Sequence, residues 1–217
     1  MDKKKITRLV IILMAAILVV DQVVKFLVKT HMQIGEDIPL IGTWCRLHFV
    51  ENEGFAFGTA IGGVTGKYIL TLLRIVASGF IAWLIAKYIR EGQRRPLIIY
   101  LTLILAGAVG NIIDSCFYGL IFNESYYSVA TLFPPEGGYA PFLQGRVVDM
   151  FYLPLFEGTW PLWVPLVGGQ RFEFFSAIFN VADSAVTIGV VWLLIDQLFI
   201  APKHSKSDET EDAETES

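Results

Sequence analysis

The sequence predicts a mainly α-helical membrane protein with four transmembrane helices, both termini cytoplasmic, and two sizeable segments outside the membrane. Three observations predict this. The chain of 217 residues is 54% hydrophobic with a mean hydropathy of +0.55, too apolar for an ordinary soluble domain. Four apolar stretches reach the roughly 20 residues a helix needs to cross a bilayer core of about 30 Å. Basic residues gather in the short segments on one side of those stretches, which orients the whole.

The first span runs from about Ile6 to Val28. It opens like a signal peptide, with Lys3, Lys4, Lys5 and Arg8 ahead of an apolar run. No A-x-A-like cleavage site follows, and the run continues through Asp21 and Lys25, so an uncleaved first helix is expected. The second span runs from about Tyr68 to Ile89, the third from Leu97 to Ile113, and the fourth from Ile178 to Ile200. Lys87, Arg90, Arg94 and Arg95 occupy the turn between spans two and three, and Lys203 and Lys206 follow span four. These sites mark the cytoplasmic side. Segments 29–67 and 115–177 then lie outside, and their length points to the outer face as the working one.

Residues 1–202 are expected to form a single integral-membrane domain. The remainder, 203–217, holds two Lys against six Asp and Glu, which accounts for the whole net charge of −4. It reads as a disordered acidic cytoplasmic tail. The balanced remainder carries no basic field, so nucleic acid is excluded as a partner.

The outer segments differ in character. CRLHFVEN, residues 45–52, alternates apolar and polar in the manner of a short strand. The second outer segment is rich in Pro, Gly and aromatics over 133–141 and 160–165. Trp and Tyr favour the headgroup level, so this segment is expected to lie on or dip into the outer interface.

Polar groups inside spans need a reason. Asp21 and Lys25 stand four apart on span one, as a mutual ion pair would. Arg74 in span two either snorkels or serves a carboxylate on another helix. Span three ends in GNIID, with Asn111 and Asp114 three apart; span four begins with FNVAD, with Asn180 and Asp183 three apart. Each pair shares one helical face. Helix capping and interhelical hydrogen bonding are the plain explanation, and Asn180 suits an N-cap. Gly107 and Gly110 let span three approach a neighbour closely. Asp149 lies within GRVVDMFY, between valines and Met150; a carboxylate in such company needs a partner. A loop turn or an ion pair with Arg146 is the simple alternative. Cys45 and Cys116 form no CxxC, and His31, His48 and His204 form no HExxH, so no metal site is expected.

Five blocks, DQVVK, NEGFAF, GNIID, VVDM and FNVADSAVTIG, occur in this order on the four-span frame. Together they resemble the lipoprotein signal peptidase family, the type II signal peptidases of bacterial inner membranes. The resemblance implies an aspartic endopeptidase with Asp149 and Asp183 as its dyad. Asn52, Gly54, Asn111, Asp114 and Asn180 would line or support the site, with Asp21 and Lys25 as a structural pair. Substrates would be prolipoproteins, cut just before a cysteine carrying diacylglycerol, at the periplasmic face of the inner membrane. Membrane lipids are the other expected partner, and no cofactor is expected. The outer strands would form a small extracytoplasmic β-cradle, with the remaining outer residues as a second insertion. Of the dyad, Asp183 near a helix start is expected to be the more ionised.

Two departures stand out. The family pattern has Arg where this chain has Ser115, which leaves the partner of Asp114 open among Arg146, Arg171 and Arg74. The segment between Asp114 and Asp149 is longer than the family's. Two other classes compete. A transporter would show broken helices and repeat symmetry. A non-catalytic scaffold would tolerate loss of Asp149.

Overall fold

The computed structural model describes residues 2–53, 63–174 and 176–200. Gly54 and the acidic tail 203–217 lie outside the described residues. Helix α1 (Lys3–His31) is followed by strands β1 (Asp37–Ile41) and β2 (Cys45–Asn52). Helices α2 (Gly63–Glu91) and α3 (Arg95–Ile113) come next; a π-helical turn (Asp114–Tyr118) and the short α4 (Gly119–Ile121) extend α3. Strands β3 (Val147–Tyr152), β4 (Phe156–Thr159), β5 (Arg171–Phe174) and β6 (Ile178–Phe179) precede helix α5 (Val181–Ile195) and a closing π-helical turn (Asp196–Ile200).

Among the described residues, four helical stretches are long and apolar enough to cross a membrane: Lys3–His31, Gly63–Glu91, Arg95–Ile121 and Val181–Ile200. The shortest has 20 residues, about 30 Å at 1.5 Å per residue. Three of the boundary shifts bear on the site. The first helix continues past Val28 and takes in Lys29. The third continues through the π-helical turn, where Ser115 Oγ donates to the carbonyl of Asn111 at 3.0 Å. That carbonyl is the one an α-helix offers to the amide of residue 115, and the competition favours the wider turn. The fourth begins at Val181, because Ile178 and Phe179 pair with β3 as a strand.

The chain divides into two compact units. The first takes the chain up to Val20, Arg74–Gly110, and the chain from Val181 onward. Its apolar core is Ile6, Ile85, Ile98, Leu101 and Leu105, with Val10, Met14 and Leu193 packed against them. Gly107 faces the backbone of Ala182, and Gly189 faces Tyr100 and Ile104, so α3 and α5 meet at glycines. Side chains such as Ile11, Val76, Phe80 and Leu194 point outward from these helices, as a lipid-facing surface requires. Lys3 Nζ donates to the carbonyl of Arg90 at 2.7 Å. Arg94 grips Asp196 through two bonds of 3.1 and 2.5 Å, the bidentate geometry Arg is built for.

The second unit takes Asp21–Leu73 and Asn111–Asn180. Its four-stranded antiparallel sheet has the order β1-β2-β3-β6. β4 and β5 form a separate two-stranded hairpin. One face of β2 and β3 presents Phe49, Val148 and Met150, which bury against Val28 and Met32 of α1 and against Tyr118 and Phe122. The insertion is stitched to the end of the third span by backbone bonds: Gly145 to Ser115, Ala140 to Gly119, Tyr139 to Phe122 and Phe133 to Ile121. A Cβ at position 145 would collide with the carbonyl of Asp114, so only glycine allows this approach. Both cysteines are free thiols.

Candidate active site

Alternation along β3 decides which side chains meet. Val148 and Met150 fill the core, so Asp149 and Val147 point to the other face. Asp149 is opposite Val50 and Val147 is opposite Asn52, which sets Asn52 diagonally beside Asp149 on that face. Asn52 Nδ2 donates to Asp149 Oδ2 at 3.1 Å. Asn180 Nδ2 donates to Asp149 Oδ1 at 2.6 Å. Both oxygens of a buried carboxylate thus receive an amide donor, the pattern that stabilises an anion.

The exposed edge of β3 is closed by side chains. β6 covers only Phe151 and Tyr152. At Val148, the N–H donates to Asp114 Oδ2 at 3.3 Å and the carbonyl accepts from Asn180 Nδ2 at 3.3 Å. Two side chains do here what a longer strand would do, and they fix the height of Asp149.

Behind this edge lies a buried cation. Lys25 Nζ reaches Asp21 Oδ2 at 2.9 Å, Asp114 Oδ2 at 2.8 Å and Asn111 Oδ1 at 2.9 Å. An ammonium has three hydrogens, and these three acceptors use them all. Gln22 Nε2 spans the two carboxylates, at 3.1 Å to Asp21 and 2.9 Å to Asp114, and Tyr118 donates to its Oε1 at 3.3 Å. Asn111 Oδ1 also accepts from Asn180 Nδ2 at 3.1 Å. A continuous chain of polar contacts therefore runs Lys25–Asn111–Asn180–Asp149–Asn52. Asp21, Lys25 and Asp114 are fully buried, where each charge needs its partner.

This geometry corrects several expectations. Asp21 and Lys25 do pair, but not with each other alone. The partner of Asp114 is Lys25, supported by Gln22, and not an arginine. Arg146 instead binds Glu51, Glu53 and Glu124. Asn180 directly precedes α5, at the N-cap position expected of it. Asp183 is half-buried in the first turn of α5, within the first unit. The other described site residues gather in the second.

A second polar cluster escaped sequence reasoning. Lys29 contacts Glu51, and donates to Ser125 Oγ at 2.8 Å. Its ammonium stands 4.8 Å from the centre of the Tyr139 ring, and the Arg146 guanidinium stands 4.9 Å from it. Burial disfavours charge on Arg146, but the bonds to Glu124 and Glu51 outweigh it and hold the guanidinium protonated. Burial also pushes the Tyr139 phenol above its ordinary value, and Glu51 adds to this. A signal existed: Asp21, Lys25 and Lys29 recur every four residues, a charged stripe on one face of α1.

The signal peptidase (SPase) II family model matches residues 13–199. A lipoprotein signal peptidase of Porphyromonas gingivalis is 48% identical over 189 residues, covering 87% of this chain and 82% of that protein. One from Amoebophilus asiaticus is 36% identical over 182 residues, covering 82% and 73%. A solved structure described as a bacterial membrane enzyme at 1.9 Å shares the fold with a TM-score of 0.56, at 26% identity over 88% of this chain and 93% of that one. Four membrane-spanning helices and this likeness make the chain a multi-pass membrane peptidase, and it belongs to the signal peptidase II family.

Proposed function

We propose that the chain is an aspartic endopeptidase that removes signal peptides from prolipoproteins, with Asp149 and Asp183 as its dyad. The observation that carries this reading is the setting of Asp149: a buried carboxylate whose two oxygens are held by Asn52 and Asn180. Asp183 follows three residues after Asn180 in the chain, at a helix start that favours negative charge.

Two neighbouring carboxylates share one proton, because both cannot ionise easily. The ionised member takes a proton from the attacking water, and the protonated member hydrogen-bonds the scissile carbonyl as its charge develops. The proton then passes to the leaving amine. The two amide donors on Asp149 stabilise its anion, so the general-base role falls to Asp149. Helix position alone would give that role to Asp183. Isotope-edited infrared spectra of the single Asp→Asn variants report which carboxyl keeps the proton. A protonated Asp149 overturns the assignment.

Cleavage falls just before a diacylglyceryl-modified cysteine, at the periplasmic face of the bacterial inner membrane. The lipid anchor holds such a substrate at the bilayer surface. Both termini are cytoplasmic in this reading, supported by Lys3, Arg90 and Arg94 clustering within one unit. The peptidase domain in this reading is residues 1–202, followed by the acidic segment 203–217. The test is a lipidated prolipoprotein peptide incubated with purified protein. Asp149→Asn and Asp183→Asn each cut kcat/KM by about a thousandfold or more, while thermal unfolding stays cooperative. Substantial turnover by either variant refutes the dyad.

A further inference from the structure

The hairpin of β4 and β5 carries a tip that the peptidase chemistry does not use. Between Glu157 and Arg171 the sequence has no charged residue, and it contains Trp160, Leu162, Trp163, Val164, Leu166 and Val167. Three of these face away from the protein: Leu162 is 88% exposed, Trp163 81% and Leu166 98%. Water is a poor environment for such a cluster, and a contiguous apolar projection of this kind marks a contact surface.

Part of the tip's backbone is satisfied within the loop: Val164 donates to Pro161, Gly168 to Val164, Gly169 to Trp160 and Gln170 to Val167. These bonds reduce the number of amides left to be satisfied where the loop meets the hydrated headgroup level. Leu166 adopts a φ of 71°, a conformation that glycine or asparagine takes more readily. A large apolar side chain is thus held outward at a position that local backbone preference would assign to another residue. At the root, Trp160 packs on Phe172 with ring centres 4.8 Å apart, which fixes the tip to the strands.

The occupant follows from where the hairpin is tethered. β5 ends at Phe174, and the membrane-spanning α5 opens at Val181. On its other side β4 follows β3 after three residues, 153–155. A hairpin rooted this close in sequence to the mouth of a membrane span meets the bilayer before any other apolar phase. Trp at the headgroup level with Leu reaching toward the acyl chains is the usual composition of an interfacial anchor. We propose that the 160–170 loop is a membrane anchor, seating Leu162, Trp163 and Leu166 in the headgroup–acyl boundary of the bilayer that the helices cross. This rests on the membrane reading alone and not on the assignment of the dyad.

The full chain in phospholipid nanodiscs tests this, since both faces are open to solvent. Trp163 emission is isolated as the difference between the wild-type protein and Trp163→Phe. Phospholipids brominated near the top of the acyl chain should quench that difference signal at least twofold more strongly than aqueous iodide does. Strong iodide quenching with little effect of brominated lipid means a loop standing in water, and overturns the proposal. Protection from both quenchers means a protein cover, either a second copy or a bound peptide, and also overturns it. The double variant Leu162→Asp, Leu166→Asp should lift Trp163 out of the boundary. Iodide access then rises at least twofold, and the thermal unfolding of the spans is unchanged because neither side chain packs in the core. Bromolipid quenching that persists unchanged in this variant counts against the anchor.

Discussion

Asn180 holds Asp149 through a 2.6 Å hydrogen bond while its same amide group reaches the carbonyl of Val148 and the side chain of Asn111. One side chain thereby ties the proposed reactive carboxylate to the strand edge and to the third span. Asn180→Ala removes all three contacts and leaves buried acceptors without donors. The expected loss is about 1–3 kcal/mol of stability, with kcat down about 10- to 100-fold because Asp149 gains freedom. Asn180→Asp should be worse in both, since a second carboxylate then meets Asp149. Cleavage kinetics on a lipidated peptide, with thermal unfolding in detergent, check both variants. An Asn180→Ala enzyme with wild-type kcat would show that Asn52 alone suffices.

Lys25 sits between two buried carboxylates, and removing it strands both. Lys25→Met should destabilise the protein by about 3–5 kcal/mol, the usual effect of breaking a buried ion pair from one side. The triple variant Asp21→Asn, Lys25→Met, Asp114→Asn removes the stranded charges too, and should recover part of that loss. Unfolding midpoints of the two variants decide this. A triple variant less stable than Lys25→Met would mean that the amide replacements cannot satisfy Gln22 and the Val148 N–H.

The spans were legible because twenty apolar residues in a row admit few other structures. Their ends were less so. Ile178 and Phe179 are apolar in either state, and hydropathy cannot tell a strand that leads into a helix from the helix itself. β3 was hidden for a similar reason: VVDMFY shows no clean alternation. The individual site residues could be listed from their spacing and from the family resemblance, but their partners could not. Lys25 finds Asp114 across 89 positions of sequence, and no local pattern encodes such a contact. Gln22 was overlooked because a neutral side chain in a span raises no alarm, although it bridges both acids. The Lys29–Glu51–Arg146 cluster needs the insertion folded back on α1 before it exists at all.

Gly107 offers a test of helix packing within the first unit. A Cβ there would collide with the carbonyl of Ala182, and would approach Val186 Cγ2 to 2.7 Å. Backbone cannot yield as a flexible side chain can, so Gly107→Ala should push α3 and α5 apart, costing about 1–3 kcal/mol. Gly79 in α2 is the control, since a Cβ there meets nothing within 4 Å. Gly79→Ala should be neutral or slightly stabilising. Unfolding midpoints in one detergent separate the two. Equal midpoints would mean that α3 and α5 do not need their close approach.

The insertion has its own handle in Tyr139. The Lys29 ammonium and the Arg146 guanidinium stand 4.8 and 4.9 Å from its ring centre, and its hydroxyl oxygen accepts the Arg146 backbone N–H at 2.6 Å. Burial, reinforced by Glu51, raises this phenol above its ordinary value near 10. The sign of the pH effect follows. Above that ordinary value the unfolded chain releases the phenolic proton and the folded chain retains it, so the folded state binds more protons and stability falls as pH rises. The contribution is fully present below pH 10 and disappears as pH climbs toward the folded value. Tyr139→Phe should therefore lower stability at neutral pH, through loss of the bond to Arg146, and flatten the alkaline decline relative to the wild-type protein. Chemical unfolding of both proteins between pH 8 and 11 measures the two slopes. Parallel alkaline slopes would show that Tyr139 ionises as readily folded as unfolded, and would contradict its burial beside Glu51.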